Sequence, residues 1–304
     1  MITCNVMGGL GNQLFQIFTT ISYAINHKKQ FGFLYTEFVG VGKTIRRNTY
    51  WNNLFLPLKK YTFASLPPMK YLHEENFHYK ELPSPNDENI CLFGYFQSYK
   101  YFESNSRLII RILNIDKCKE KIMEKSGFQD FNKTISMHFR LGDYKLISDA
   151  YPLLTYEYYD KCLTFLNGVS SNGVSSNRVS SNGVSSNGVL NLNENVVSCP
   201  NQVLYFCEEQ DIQEVREIIE KLIIKYPNLE FKKVSSNFSD WEQLLLMSCC
   251  SFNIIANSTF SWWGAYLNTS TSNIVCYPEK WFGNKKKSLN TKDLFLPNWN
   301  KIIF

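Results

Sequence analysis

From residue 134 onward, short apolar runs and helix-period runs alternate along the chain, and this alternation constrains the fold more than any other feature. Residues 134–139 read as a buried strand and are followed by a helix around 155–166. Residues 202–207 form the next strand, and a helix from about 211 to 226 is stopped by Pro227. Residues 229–234 are a strand, Asp240 can cap a helix carrying Leu244, Leu245 and Met247, and 252–256 are a strand again. Asn257, Ser258 and Thr259 can then cap a helix through Leu267, and 273–277 read as a last strand. Repeated βα units predict a parallel sheet covered on both faces. Ligands of such sheets sit beyond the carboxyl ends of the strands. Three polar loops fall at that rim, at 138–143, 208–211 and 257–261.

The first of these loops concentrates the chemistry. Residues 137–144 read Met-His-Phe-Arg-Leu-Gly-Asp-Tyr. Gly142 lets the backbone turn where a strand ends. Arg140 offers the planar fork of donors suited to phosphate oxygens. We read the loop as holding a nucleotide diphosphate, although taken alone it reads better as a surface loop with a weak Arg–Asp pair; the rest of the chain shifts that balance. The loop of Asn257, Ser258, Thr259, Phe260 and Ser261 places hydroxyls, an amide and N–H groups at a helix start, as phosphate sites do. It is otherwise an ordinary cap followed by core tryptophans. Glu208, Glu209 and Asp211 are placed to accept hydrogen bonds from a ribose or a guanine edge, or else to favour the first turn of a helix.

The chain begins with strand-like alternation at Ile2, Cys4 and Val6, then a tight turn of Gly8, Gly9, Leu10, Gly11, Asn12 and Gln13. Helical spacing of Leu14, Phe15, Ile17, Phe18, Ile21, Ala24 and Ile25 follows, and 31–35 read as a second strand. Such a turn can present backbone N–H groups to an anion, with Gly9, Gly11, Asn12 and Gln13 nearest; a purely structural turn fits as well. Leu14 stands where the dinucleotide fingerprint needs its third glycine, which excludes that motif. Residues 36–110 are rich in aromatics and proline and give poor periodicity, apart from a strand over 91–98; 107–126 look helical. A domain boundary is expected near 130, dividing the chain into 1–130 and 131–304.

The net charge of +5 is dispersed, and Lys285–Lys287 is its one tight run, so no continuous basic face for nucleic acid is expected. Nine cysteines without a Cys-x-x-Cys pattern predict reduced thiols, not a disulfide frame or a zinc site. There is no export signal to read and no apolar run long enough for a bilayer, which sets the expectation of a cytoplasmic protein. Between 168 and 189 a five-residue unit, mostly Gly-Val-Ser-Ser-Asn, repeats; its composition cannot bury a core, so it predicts a flexible, dispensable insertion.

With these residues in place, the chain resembles the alpha-1,2-fucosyltransferases, glycosyltransferase family 11. The matching segments are 8–16, 138–144, the acidic strand end at 207–211, and 257–265. The resemblance implies a GT-B-like α/β fold, two Rossmann-like domains whose parallel sheets face a cleft. It implies an inverting transfer of L-fucose from GDP-fucose to the 2-hydroxyl of a galactose-containing glycan, with no metal. It implies that Arg140 binds the donor diphosphate, that His138 and Asp143 shape the same catalytic pocket, and that the N-terminal domain serves the acceptor. No Asp-x-Asp motif occurs, so charge neutralisation is expected from Arg140 and helix termini. One departure stands out: Leu141 occupies the place of a second arginine usual in the family. The alternatives are a fucosyltransferase of another linkage and a non-catalytic GDP-sugar or glycan binder.

Overall fold

The computed structural model describes residues 1–40, 46–171, 199–270 and 273–304. The N-terminal part opens with β1 (Ile2–Cys4) and α1 (Leu10–Asn26). Short pieces follow: β2 (Phe33–Leu34), β3 (Phe38–Val39), β4 (Arg47–Asn48) and β5 (Thr62–Phe63), then the longer β6 (Lys70–His73) and β7 (Ile90–Phe93). β1, β7 and β6 form a parallel sheet in that order. A parallel bridge from Ile2 to Phe31 ties β1 to the segment leading into β2, which pairs with β5. β3 and β4 form a small antiparallel pair. The strand expected over 91–98 ends at Phe93, because the chain turns through Gly94 and a left-handed Phe96 (φ 52°). The single helix expected over 107–126 is two, α2 (Ser106–Ile112) and α3 (Ile115–Ser126), broken where Asn114 adopts φ 54°.

The C-terminal part carries β8 (Thr134–His138), α4 (Tyr156–Ser171), β9 (Gln202–Phe206), α5 (Ile212–Lys225) and β10 (Glu230–Lys233). It continues with α6 (Asp240–Met247), β11 (Phe252–Ile254), α7 (Thr259–Tyr266), β12 (Ile274–Pro278) and β13 (Asn300–Ile302). Its six strands are all parallel, in the order β10-β9-β8-β11-β12-β13. Counted within this sheet the order is 3-2-1-4-5-6, so it reverses between β8 and β11, where a ligand crevice is expected. β8 is buried along its whole length, as a central parallel strand must be. β13 escaped the sequence analysis because three residues show too little periodicity. α6 is capped by Ser239, not Asp240 as expected: the Glu242 carboxylate accepts from the Ser239 N–H at 2.8 Å, a capping box. α4 runs to Ser171, so the first residues of the repeat are helical, while its residues 172–189 lie outside the described residues.

Both faces of the large sheet are covered, as the βα alternation predicts. One face packs Ile135, Met137 and Val203 against Tyr158 and Leu163 of α4 and Val215 and Ile219 of α5. The other face belongs to an apolar cluster shared with the N-terminal part. There Phe15 and Phe18 of α1 meet Trp262 and Trp263 of α7, with ring centroids 4.5–5.1 Å apart. Phe102 stacks on Trp263 at 5.3 Å. The two parallel sheets thus stand either side of a cleft with a continuous core below it, the GT-B-like α/β architecture. A proposed division at residue 130 separates the sheets but cuts this cluster.

Candidate functional site

The cleft has a volume of about 710 Å³, within the range of small-molecule sites. It is walled by the carboxyl ends of both sheets. From the N-terminal part come Gly9, Gly11 and Asn12 at the start of α1, and Arg46, Arg47, Asn48 and Tyr50 around β4. From the C-terminal part come His138, Arg140, Asp143 and Tyr144 after β8, Glu208 and Glu209 after β9, and Asp240 and Gln243 of α6. Ser258, Thr259 and Phe260 at the start of α7 complete it. The floor is therefore the switch point between β8 and β11.

Two helix N-termini meet there. The hydroxyl of Thr259 donates to Asn12 Oδ1 at 2.9 Å, and Gln97 Nε2 donates to the same oxygen at 3.0 Å. Gly11 is required by this approach: a Cβ on it would lie 2.5 Å from the Thr259 carbonyl carbon. The first N–H groups of both helices lack helical partners, so both carry partial positive charge toward the cleft.

Arg140 is held between two carboxylates, Nη1 on Glu208 Oε1 and Nη2 on Asp143 Oδ1, with its guanidinium 5.1 Å from the Tyr144 ring centroid. Its side chain is 19% exposed. The other Asp143 oxygen accepts from Arg47 Nη2 at 3.3 Å. Two guanidiniums and two carboxylates balance, and neither arginine spends all five of its N–H donors on these carboxylates. Gly142 has φ 33° and lies so close to Glu208 that a Cβ would meet Oε2 at 2.7 Å; a side chain here would strain the turn and push the Glu208 carboxylate aside.

His138 is buried, its ring 5.4 Å from that of Phe260, and its Nδ1 has no hydrogen-bond partner among the described residues. Burial, reinforced by the Arg140 charge, pushes its pKa down to about 3, so the imidazole is neutral at ordinary pH. Burial also drives the Tyr144 hydroxyl well above its usual range, and the Tyr50 hydroxyl likewise, helped by its hydrogen bond to Asp240 Oδ2.

Several residues singled out from the sequence stand elsewhere. Gln13 is fully buried and donates to the carbonyls of Gly8 (3.0 Å) and Asn48 (2.8 Å), tying β4 to the glycine turn. Asp211 is buried; its Oδ2 accepts from the Gly142 N–H at 2.7 Å and its Oδ1 is ion-paired with Lys145 Nζ at 2.9 Å, bracing the Arg140 loop. Asn257 is buried, with Nδ2 on the carbonyls of Pro152 and Trp281. The Ser261 hydroxyl donates to backbone carbonyls of its own turn. Their side chains do not line the cleft, so these four support it from behind. Glu208 and Glu209 do line it, but Glu208 braces Arg140 and Glu209 pairs with Lys233, whose hydrogen bond lowers its pKa. Leu141 is buried, as Leu141 in a β-strand exit is free to be. The sequence analysis missed Arg46, Arg47, Tyr50, Asp240 and Gln243. The first three sit on two-residue strands and turns without periodicity, and the acid and amide look like ordinary helix-start residues.

Known proteins share parts of this chain. Residues 194–303 match the model described as Glycosyl transferase family 11. "O-antigen biosynthesis glycosyltransferase WbnK" of Escherichia coli is 28% identical over 68% of this chain, which spans 60% of that relative's length. "Alpha-1,2-colitosyltransferase" of Escherichia coli is 22% identical over 99% of both chains. Among solved structures, POFUT1 in complex with GDP-fucose aligns with a TM-score of 0.42 at 12% identity, over 90% of this chain and 96% of that one. Escherichia coli ADP-heptose LPS heptosyltransferase II aligns with a TM-score of 0.48 at 8% identity, over 99% and 90%. No helix among the described residues is long and apolar enough to cross a membrane. Residues 194–303, which include the Ser258 loop, are thus similar to glycosyl transferase family 11.

Proposed function

We propose that the protein is an inverting glycosyltransferase that moves L-fucose from GDP-fucose to the 2-hydroxyl of a galactose-like acceptor. The observation that carries this reading is Arg140, held by two carboxylates at the switch point of a parallel sheet, facing the N-termini of α1 and α7. Guanidinium donors and helix-start N–H groups converge on one place, which suits a diphosphate. As the anomeric bond breaks with oxocarbenium character, negative charge grows on the departing GDP, and these prepositioned donors stabilise it. The reading needs no metal, because positive charge is supplied by side chains and helix termini. Both Asp143 oxygens are engaged by guanidiniums, so its role here is to hold them. The neutral His138 keeps a second positive charge out of the floor.

A second reading is favoured by the full-length match to a protein named alpha-1,2-colitosyltransferase: colitose in place of fucose, with the same linkage. The two sugars differ by one hydroxyl, at C3. The test is to supply GDP-fucose and GDP-colitose in turn with galactose-terminated acceptors, with and without EDTA, and to follow GDP release and product linkage. Fucosyl transfer that survives EDTA is expected. Transfer from GDP-colitose alone supports the second reading, and GDP binding without any turnover contradicts both.

A further inference from the structure

Beyond the residues marked by the sequence, the cleft holds a second arginine whose placement is as controlled as that of Arg140. Arg47 lies on β4, in the N-terminal part, and reaches across to Asp143, 96 residues away in sequence. Its neighbours fix it from three sides. β4 pairs with β3 through Val39 and Arg47. The carbonyl of Asn48 is held by the buried Gln13, at the turn that opens α1. The Thr49 hydroxyl donates to the Thr36 carbonyl at 2.6 Å, and the Tyr50 hydroxyl binds Asp240 on α6. A segment pinned at each of four consecutive residues presents a cation at little conformational cost. The side chain is 41% exposed in the cleft and uses Nη2 alone for Asp143. Buried Leu141 contributes no charge beside Arg140.

We propose that Arg47 is a second diphosphate-binding cation, delivered from the N-terminal part across the cleft, and that Asp143 positions it together with Arg140. This rests on the reading above that the cleft takes a nucleoside diphosphate sugar. Asp143 acts as a spacer: one oxygen for each guanidinium sets the two forks side by side, and their remaining N–H groups form a clamp for the two phosphates. Closing the site then depends on both halves of the molecule, since neither half alone supplies both arginines.

Calorimetric titration of the full chain with GDP and with GMP tests this, using wild type, Arg47→Gln, Arg47→Lys, Asp143→Asn and the double variant Arg47→Gln/Asp143→Asn. Circular dichroism checks that each is folded. Arg47→Gln is expected to weaken GDP by roughly 10- to 100-fold, the value of a lost charge-assisted contact. GMP, lacking the second phosphate, is expected to lose less, and Arg47→Lys to recover part of the GDP affinity. In the Asp143→Asn background, where one amide oxygen still accepts from a guanidinium, the loss should shrink but remain; an undiminished loss would remove the positioning role given to Asp143. If it vanishes in that background, Arg47 merely neutralises Asp143 and the proposal is wrong. Equal losses for GDP and GMP, or GDP affinity unchanged by Arg47→Gln, overturn it too, while the underlying reading survives because wild type binds GDP. Wild type that binds no GDP removes that reading and the clamp with it.

Discussion

Two helices aim their first turns into the same cleft, and they do so differently. α7 starts from Ser258, whose hydroxyl accepts from the Phe260 N–H at 3.3 Å, so part of its N-terminal charge is spent within the helix. α1 starts from Gly9, with no side-chain cap and no acidic residue in its first turn. Both starts carry partial positive charge, and the uncapped one has no side chain satisfying its N–H groups. The contrast teaches that α7 has its start fixed by its own side chain, while under the proposed function the uncapped start of α1 is the better placed to receive an anion. A hydrogen bond from Thr259 to Asn12 joins the two starts.

The most damaging way to break this arrangement is Gly11→Ala. The added methyl would sit 2.5 Å from the Thr259 backbone, so one helix must shift against an aromatic core. A loss of about 3 kcal/mol is expected, read as a fall in denaturant midpoint, with GDP binding lost in parallel. A variant of wild-type stability would show that the helices do not need this contact.

Acid acts on the α7 side through His138. Its folded pKa, about 3, is depressed from 6.5. The unfolded chain therefore takes up a proton that the folded protein refuses, and stability present above pH 6.5 is lost as pH falls toward 3. By pH 5 the expected loss is about 2 kcal/mol. His138→Gln should flatten this slope in urea titrations between pH 7 and 5; an equal slope in both proteins assigns the titration elsewhere.

Smaller changes separate the two caps. Ser258→Ala removes the α7 cap and should cost about 1 kcal/mol, with GDP affinity retained. Gly9→Ser adds a hydroxyl where a Cβ meets nothing within 4 Å. It should change stability by only a few tenths of a kcal/mol yet weaken GDP, because the new hydroxyl competes for the α1 N–H groups. Thermal melts and GDP titrations on the two proteins read both effects. Should Gly9→Ser bind GDP as wild type does, α1 is not the receptor.

This contrast marks the limit of what the sequence displayed. The βα alternation gave the parallel sheet because buried parallel strands are apolar along their length, as in β8 and β9. It also put His138, Arg140 and Ser258 at one rim, since residues after such strands share an edge. What pairs with what was not legible. The acids at 208–211 looked like ligand contacts, but ion pairs with Arg140, Lys145 and Lys233 form between segments whose approach only the fold determines. Arg47 and Tyr50 were hidden for another reason: β4 is two residues long and has no period to detect. The break at Asn114 is a left-handed turn at a residue type that tolerates it, but nothing in the flanking apolar spacing announces it.

The central claim is that the Arg140 fork, and not merely its charge, holds the donor diphosphate. Arg140→Lys tests it most directly. The variant keeps the charge but loses the planar pair of donors, and its side chain faces the cleft, so circular dichroism should show a folded protein. With GDP-fucose and a galactose-terminated acceptor, transfer is expected to fall about a hundredfold, the equivalent of roughly 3 kcal/mol of lost transition-state stabilisation. A folded Arg140→Lys protein that transfers fucose at the wild-type rate would contradict the account.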